Sequence, residues 1–152
     1  MELTIAMLVA AVLTAGAALA LSHFGSRNII RASADKIVDG LWDLRSRATT
    51  GLRNPCMDFP AADSVRLYSD TTARPDGYGA GDRLLGGFRL KGGVRILSVT
   101  GGIGSLHAAC FESRGMMGSA GKPLLVTLGT DSLANDVRRV RLLPATGVAK
   151  VL

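Results

Sequence analysis

The chain opens with an uncharged apolar stretch at residues 3–21, which reads LTIAMLVAAVLTAGAALAL. Only Thr4, Thr14 and Gly16 interrupt the apolar side chains, and the stretch contains no proline. As an α-helix rising ~1.5 Å per residue it would span about 28 Å, close to the ~30 Å hydrocarbon thickness of a bilayer. The stretch therefore predicts a membrane-spanning half-helix over residues 1–24.

A cleaved secretory signal is the alternative interpretation of the same stretch. Ala18-Leu19-Ala20 has the small residues of a cleavage site, but a signal peptide begins with basic residues, and here only Met1 and Glu2 precede the apolar run. We therefore favour a retained helix. A carboxylate at the mouth of an uncharged membrane helix costs free energy unless it is paired, so Glu2 either finds a partner on assembly or lies among lipid headgroups.

Helical spacing continues beyond the apolar stretch. Apolar residues recur at alternating steps of four and three, which line one face of a helix: Ile30, Ala34, Ile37, Leu41, Leu44 and Ala48. Gly51, Asn54 and Pro55 then provide stop signals. The pattern predicts a single helix of about fifty residues whose amphipathic second part, residues 25–54, packs against a head domain.

The remaining residues, 55–152, change to short β-type segments broken by Gly, Asp and Pro. The candidate strands are 64–69, 84–90, 94–99, 106–112, 124–128, 137–143 and 148–152. Their connections are hairpin-length: Lys91-Gly92-Gly93, Gly101-Gly102-Ile103-Gly104 and Pro144-Ala145-Thr146-Gly147. The predicted fold class is α+β, with a long N-terminal helix packed on an antiparallel β-sheet head.

Composition gives no sign of catalytic or metal chemistry. The two cysteines, Cys56 and Cys110, belong to no CxxC or Cys/His cluster, so a structural zinc site is not expected. The two histidines, His23 and His107, accompany no Gly-x-Ser-x-Gly nucleophile elbow. We predict no catalytic residue, no cofactor and no enzymatic activity, and a membrane-anchored enzyme stays as an alternative.

An acidic loop is the one candidate for cation binding. Asp70, Asp76 and Asp82 share it with several glycines, and oxygen ligands on a flexible loop can hold Ca²⁺. The spacing is not that of an EF-hand, and loops of this composition usually form turns. We therefore predict no metal site.

A basic segment near the C-terminus is the candidate for nucleic-acid binding. Lys and Arg number 18 against 12 Asp and Glu, a net charge of +6, which permits an anionic partner without requiring one. Alternation of the kind seen in Arg139-Val140-Arg141-Leu142 is typical of a strand with one solvated face. DNA binding carried by Arg138, Arg139, Arg141 and Lys150 is therefore kept as an alternative function.

The order of these features resembles the type IV pilin-like proteins, and within them the minor pseudopilin and minor pilin family represented by GspH of type II secretion and FimT of type IV pili. The matching segments are Met1-Glu2-Leu3-Thr4-Ile5, 41–48, 65–70, 77–82, 111–115 and Thr146-Gly147, in family order. Each motif is short, but together they cover nearly the whole chain.

The resemblance implies a subunit assembled into a type II secretion pseudopilus or a type IV pilus, with a structural role in protein secretion or pilus biogenesis. It also implies a single-pass protein of the bacterial inner membrane with its head in the periplasm. The implied partners are other pilins or pseudopilins and, where a leader exists, the prepilin peptidase, with methylation of the new N-terminus. Glu2 matches the family carboxylate that meets the N-terminal amine of a neighbouring subunit.

The chain departs from the family pattern at three places. The family's precursor carries a short basic leader, whereas a single residue precedes Glu2 here. The proline usual in the membrane helix is absent, so no kink is expected there. Some FimT-like proteins bind DNA through a C-terminal Gly-Arg-x-Arg motif, which reads Gly147-Val148-Ala149-Lys150 here and retains only the last basic position.

A head outside the cytoplasm would lie in an oxidising compartment, and the chain contains a single pair of cysteines. This predicts a disulfide between Cys56 and Cys110. Cys110 lies in an apolar segment, Ala108-Ala109-Cys110-Phe111, so a buried free thiol is the alternative.

Overall fold

The fold comes from a computed structural model that describes residues 2–72, 78–103, 107–117, 122–130 and 133–152. Side chains are described for these residues apart from 2, 3, 6, 18, 19, 22, 23, 26 and 133–135.

One helix, α1 (Glu2–Thr49), begins the chain and runs unbroken for 48 residues. Its end is a Schellman motif, in which the Gly51 N–H donates to the Ala48 carbonyl and the Leu52 N–H donates to the Arg47 carbonyl. Gly51 has a φ of 104°, a left-handed conformation that glycine adopts without strain. The predicted long helix is thus present, and it ends at Thr49 instead of continuing to residue 54.

The two halves of α1 have different surroundings. The stripe predicted from the spacing is buried, each member being 1% exposed or less: Ile30, Ala34, Ile37, Leu41, Leu44 and Ala48. In the first half the described apolar side chains are exposed, for example Leu8 at 68% and Leu21 at 73%.

Within the described residues, no helical stretch is both long and apolar enough to cross a membrane. The membrane-spanning half-helix over residues 1–24 stays a prediction from the sequence.

The described part of the head contains eight strands in two antiparallel sheets. The strands are β1 (Pro55–Ala61), β2 (Ser64–Ser69), β3 (Arg83–Arg89), β4 (Val94–Gly102), β5 (Ala109–Cys110), β6 (Lys122–Thr130), β7 (Leu133–Leu143) and β8 (Val148–Val151). The first sheet has the order β3-β2-β1-β5 and the second has the order β4-β6-β7-β8. The predicted α+β class, with a long helix on an antiparallel head, is confirmed.

Strand β1 is the element that the sequence analysis missed. Pro55 and Pro60 lie in it, and proline is unfavourable inside a sheet because it cannot donate a ladder hydrogen bond. Pro55 is the first residue of the strand, and Pro60 falls at the register shift between Asp58 and Ala61. Both are positions where a sheet tolerates proline, so a strand forms where the sequence indicated only a helix stop.

Two of the three predicted hairpins are corrected by the topology. Lys91-Gly92-Gly93 joins β3 of the first sheet to β4 of the second, so it carries the chain between sheets instead of forming a hairpin. The segment that begins at Gly101 leads from β4 in the second sheet to β5 in the first, with a single bridge between Ile103 and Ala108. The connection from residue 144 to 147 does join paired strands, β7 and β8. The sequence of a short connection cannot distinguish a hairpin from a connection between two sheets, because both need the same turn residues.

The buried stripe of α1 forms one core with strands of both sheets. Met57 of the first sheet and Leu128 and Leu142 of the second belong to the same buried cluster as the stripe. An ion pair of 2.8 Å between Arg27 Nε and Asp136 Oδ2 joins the helix to β7 where the head begins. The helix is therefore held to the head from about Arg27 to its end.

Cys56 and Cys110 are joined by a disulfide across β1 and β5, where they are register partners. Their Cα atoms lie 4.0 Å apart, and their residue numbers differ by 54. Strand β5 has only two residues, so the covalent bond holds to the sheet a segment that few ladder hydrogen bonds could retain.

We predict that reduction of this bond lowers the free energy of unfolding by about 4 kcal/mol, the chain-entropy value for a loop of this length. The measurement is urea unfolding of the full chain in detergent micelles, with and without reductant. A Cys56→Ser/Cys110→Ser variant is the control, since reductant should leave its midpoint unchanged. Two alkylatable thiols in denatured, unreduced protein from the envelope would show that no bridge forms there.

Candidate assembly and binding surfaces

The apolar half-helix, residues 3–21, is the first candidate surface. Its small residues Ala10, Ala11, Gly16 and Ala17 are exposed, and nothing lies within 4 Å of a Cβ placed on Gly16. Small residues let the backbones of neighbouring helices approach closely in a membrane. Glu2 begins α1, but its side chain lies outside the described residues, so its assembly role stays a prediction.

The cationic face, which we define as Arg139, Arg141 and Lys150, is the second candidate surface. Arg141 and Lys150 are register partners on β7 and β8. Arg139 lies two residues from Arg141 and so shares its side of the sheet. All three are exposed, and none has an ion-pair partner in the described parts of the chain.

Arg138, the fourth predicted DNA-binding residue, does not join them. It alternates with Arg139 along β7 and therefore lies on the side of the buried residues Val140 and Leu142, where it is half-buried. The structure brings together three of the four predicted cations. A shallow groove of ≈ 120 Å³ between Arg141, Lys150 and the apolar Leu143 and Leu152 adjoins this face.

The disulfide belongs to a second, smaller buried cluster with Tyr68, the register partner of Cys56. The Tyr68 and Tyr78 rings form a T-shaped pair with centroids 5.4 Å apart. Burial raises the pKa of Tyr68 far above its ordinary value, and the nearby Asp58 carboxylate adds to the effect. Among the described residues, the Tyr68 hydroxyl has no hydrogen-bond partner. The phenol stays protonated at physiological pH, so the cluster offers no general base.

Arg66 contacts Tyr78 and Asp58 beside this cluster. Its guanidinium lies 4.2 Å from the Tyr78 ring centroid and forms a two-point ion pair with Asp58, with N···O distances of 2.7 and 3.0 Å. The hydrogen bond to Asp58 raises the pKa of Arg66. These contacts hold the Tyr78 ring against the sheet, which is a structural role.

The acidic loop serves as a set of turn caps in the residues described. Asp82 accepts backbone N–H bonds from Thr71 and Gly79, both 2.9 Å long, and these bonds lower its pKa. Asp70 is buried and accepts a hydrogen bond from the Thr72 N–H at 2.8 Å. Asp76 lies outside the described residues. In the described ranges no three His, Cys, Asp or Glu side chains converge as metal ligands would.

The described histidine, His107, has a left-handed backbone with φ of 49°. Its exposed ring places Nδ1 3.2 Å from the Gly101 carbonyl oxygen. The side chain of His23 lies outside the described residues.

A third surface was not identified from the sequence. The basic groove, which we define by Ile29, Ala32, Lys36, Arg89 and Lys91, is a depression of ≈ 250 Å³ where the helix meets the turn after β3. The helical members follow i, i+3, i+7 spacing, which sequence inspection could have found. Their approach to Arg89 and Lys91 is a tertiary contact, which no local pattern shows.

Comparisons with known proteins bear on the fold. No family model and no curated protein matches the chain. Among solved structures, the chain is similar to the minor pseudopilin EpsH from the type 2 secretion system of Vibrio cholerae, with a TM-score of 0.58 at 15% sequence identity. The match covers 81% of this chain and 95% of that one. At this identity the likeness concerns architecture, and it agrees with the resemblance read from the sequence: the chain has the pilin-like fold of a minor pseudopilin.

Proposed function

We propose that this chain is a structural subunit of an envelope filament, a minor pseudopilin of a type II secretion pseudopilus or a minor pilin of a type IV pilus. Its partners would be other pilins or pseudopilins. Its contribution to secretion or pilus biogenesis would be mechanical and architectural, with no chemistry of its own.

One observation carries the proposal: a helix that is fixed to a head at one end presents an unburied apolar half at the other. The described apolar side chains of that half, such as Val12 at 64% and Leu13 at 67%, have little cover from the head. Apolar surface of this extent is unfavourable in water and needs an apolar partner. The membrane before assembly and the helices of neighbouring subunits afterwards would both serve.

This proposal includes a single-pass anchor in the bacterial inner membrane with the head in the periplasm. The uncharged sequence of residues 3–21 supports the anchor. The Cys56–Cys110 pair supports the periplasm, because disulfides persist in oxidising compartments. Where a leader exists, prepilin peptidase would remove it and the new N-terminus would be methylated.

Glu2 has a defined task in this proposal. Its carboxylate would leave the headgroup region when the subunit enters a packed bundle of helices, and burial of a charge is tolerable when an opposite charge pairs with it. The N-terminal amine of a neighbouring subunit would supply that charge. The pairing would set the axial register between neighbouring helices.

We predict that Glu2→Ala leaves membrane insertion and head folding intact but sharply lowers incorporation into the filament or its tip complex. The measurement is crosslinking to partner pilins in the envelope at equal expression. Glu2→Asp is the matched control, because it keeps the charge and should retain most of the crosslinking. Unchanged crosslinking together with unchanged secretion or piliation in Glu2→Ala would remove the role proposed for this carboxylate.

DNA uptake is the second candidate function, and the cationic face is the observation that favours it. Three cations on one sheet face can neutralise few phosphates, and the departure from Gly-Arg-x-Arg at residues 147–150 removes one basic position of the motif. We therefore rank it below the structural role.

We predict that the full chain in detergent micelles binds duplex DNA weakly, losing about 40-fold in affinity between ~50 and ~200 mM salt if three phosphates are neutralised. DNA binding should be lost in an Arg139→Gln/Arg141→Gln/Lys150→Gln variant. The Arg138→Gln substitution, on the opposite sheet face, should change the affinity for DNA little. Tight binding that persists at physiological salt and disappears in the triple variant would favour DNA uptake over the structural role.

A further inference from the structure

We propose that the basic groove binds the headgroups of anionic phospholipids and so holds the head against the membrane surface before assembly. The inference rests on the membrane anchor of the proposed function. It assigns a ligand class to a surface that the proposed function leaves without one.

The groove is built by close packing between the helix and the turn after β3. Gly92 has a φ of 67°, and a Cβ placed on it would lie 2.7 Å from Ile29 Cγ2, so the turn rests directly on the helix. On the other side, Lys36 Nζ lies 4.5 Å from the centroid of the Phe88 ring. These contacts hold the helix and the turn on either side of a preformed depression.

The charge of the groove is positive. Lys36, Arg89 and Lys91 line it, and none of them has an ion-pair partner among the residues described. Lys36 is engaged with the Phe88 ring, a contact that leaves its charge uncompensated. The apolar wall formed by Ile29 and Ala32 lies beside these cations. Three cations next to an apolar wall suit a phosphodiester joined to a glycerol and acyl chain.

The groove begins just beyond the headgroup layer, which is about 5–8 Å thick on each side of a bilayer. Ile29 lies eight residues beyond Leu21, the end of the apolar stretch, which is about 12 Å along a helix. The long side chains of Lys36, Arg89 and Lys91 can extend toward the membrane while their stems stay on the protein. Polybasic sites act on anionic lipid surfaces over about a Debye length, ~8 Å in physiological salt.

An acidic protein surface is the rival occupant. Asp35, Asp39 and Asp43 recur at steps of four on the exposed side of α1, so a neighbouring subunit could present carboxylates to the groove. Lipid is favoured because the groove lies on the side of the head nearest the apolar half-helix. Asp43 also has its own ion pair with Arg47, at 2.8 Å.

The test is native mass spectrometry of the full chain released from nanodiscs that contain equal amounts of phosphatidylglycerol and phosphatidylcholine. We expect the chain to retain phosphatidylglycerol over phosphatidylcholine by about fivefold or more, the ratio that ~1 kcal/mol from a single basic residue near an anionic surface would give. Lys36→Gln/Arg89→Gln/Lys91→Gln should remove the preference. The Lys36→Arg/Arg89→Lys/Lys91→Arg variant keeps the three charges and should keep the lipid preference. This result would show that the preference depends on charge and not on a folding defect.

The matched control is Arg139→Gln/Arg141→Gln/Lys150→Gln, which removes the same charge from the cationic face and should keep the preference. Equal retention of both lipids by the wild-type chain would overturn the inference and leave an acidic protein partner as the occupant. A loss of preference in the matched control equal to that in the groove variant would overturn it as well. Carbonate extraction of each variant reports on the anchor separately: a chain that leaves the membrane fraction would refute the anchor itself.

Discussion

The burial of one helical stripe between two sheets is the interaction on which the rest of the structure depends. The stripe runs from Ile30 to Ala48 and joins strands of both sheets in a single core. Burial of each Leu or Ile side chain in it stabilises the folded state by roughly 1.5–3 kcal/mol. Because the two sheets share this helix, its stripe contributes to the apolar interior of both. The apolar half-helix is a continuation of the same helix, so the packing of the stripe in the core also sets the direction of this half.

Because α1 is one continuous helix, the position of the apolar half-helix depends on how the second half of α1 packs against the head. The head holds the second half of α1, and the unbroken backbone transmits that constraint to residues 3–21. In the proposed function, this arrangement would let the chain insert its apolar half-helix into a membrane or a helical bundle while the folded head stays outside. The Cys56–Cys110 bond adds stability on the far side of the first sheet, where β5 has only two residues. The proposed lipid contact would act where these two halves meet.

Much of this fold could be predicted because its main signals are local. The three- and four-residue spacing identified the buried stripe, and seven of the eight strands in the described residues overlap predicted segments. Features set by tertiary packing were missed: β1 because its prolines are tolerated at a strand start and a register shift, and the crossing at Lys91-Gly92-Gly93 because a turn does not reveal its sheet. Alternation placed Arg139 and Arg141 on one face. The basic groove depends on a helix and a distant turn coming together, which no single segment encodes.

In the proposed filament, the apolar half-helix packs among the helices of other subunits. The most direct measurement is cryo-electron microscopy of complexes purified from the envelope through an affinity tag on this chain. We expect density for α1 inside a bundle of pilin-type helices, with the head on the outside and the residues from Arg27 to Thr49 packed on it. A chain that purifies alone, with its first half surrounded by lipid or detergent at every stage of filament growth, would refute this packing of the apolar half-helix.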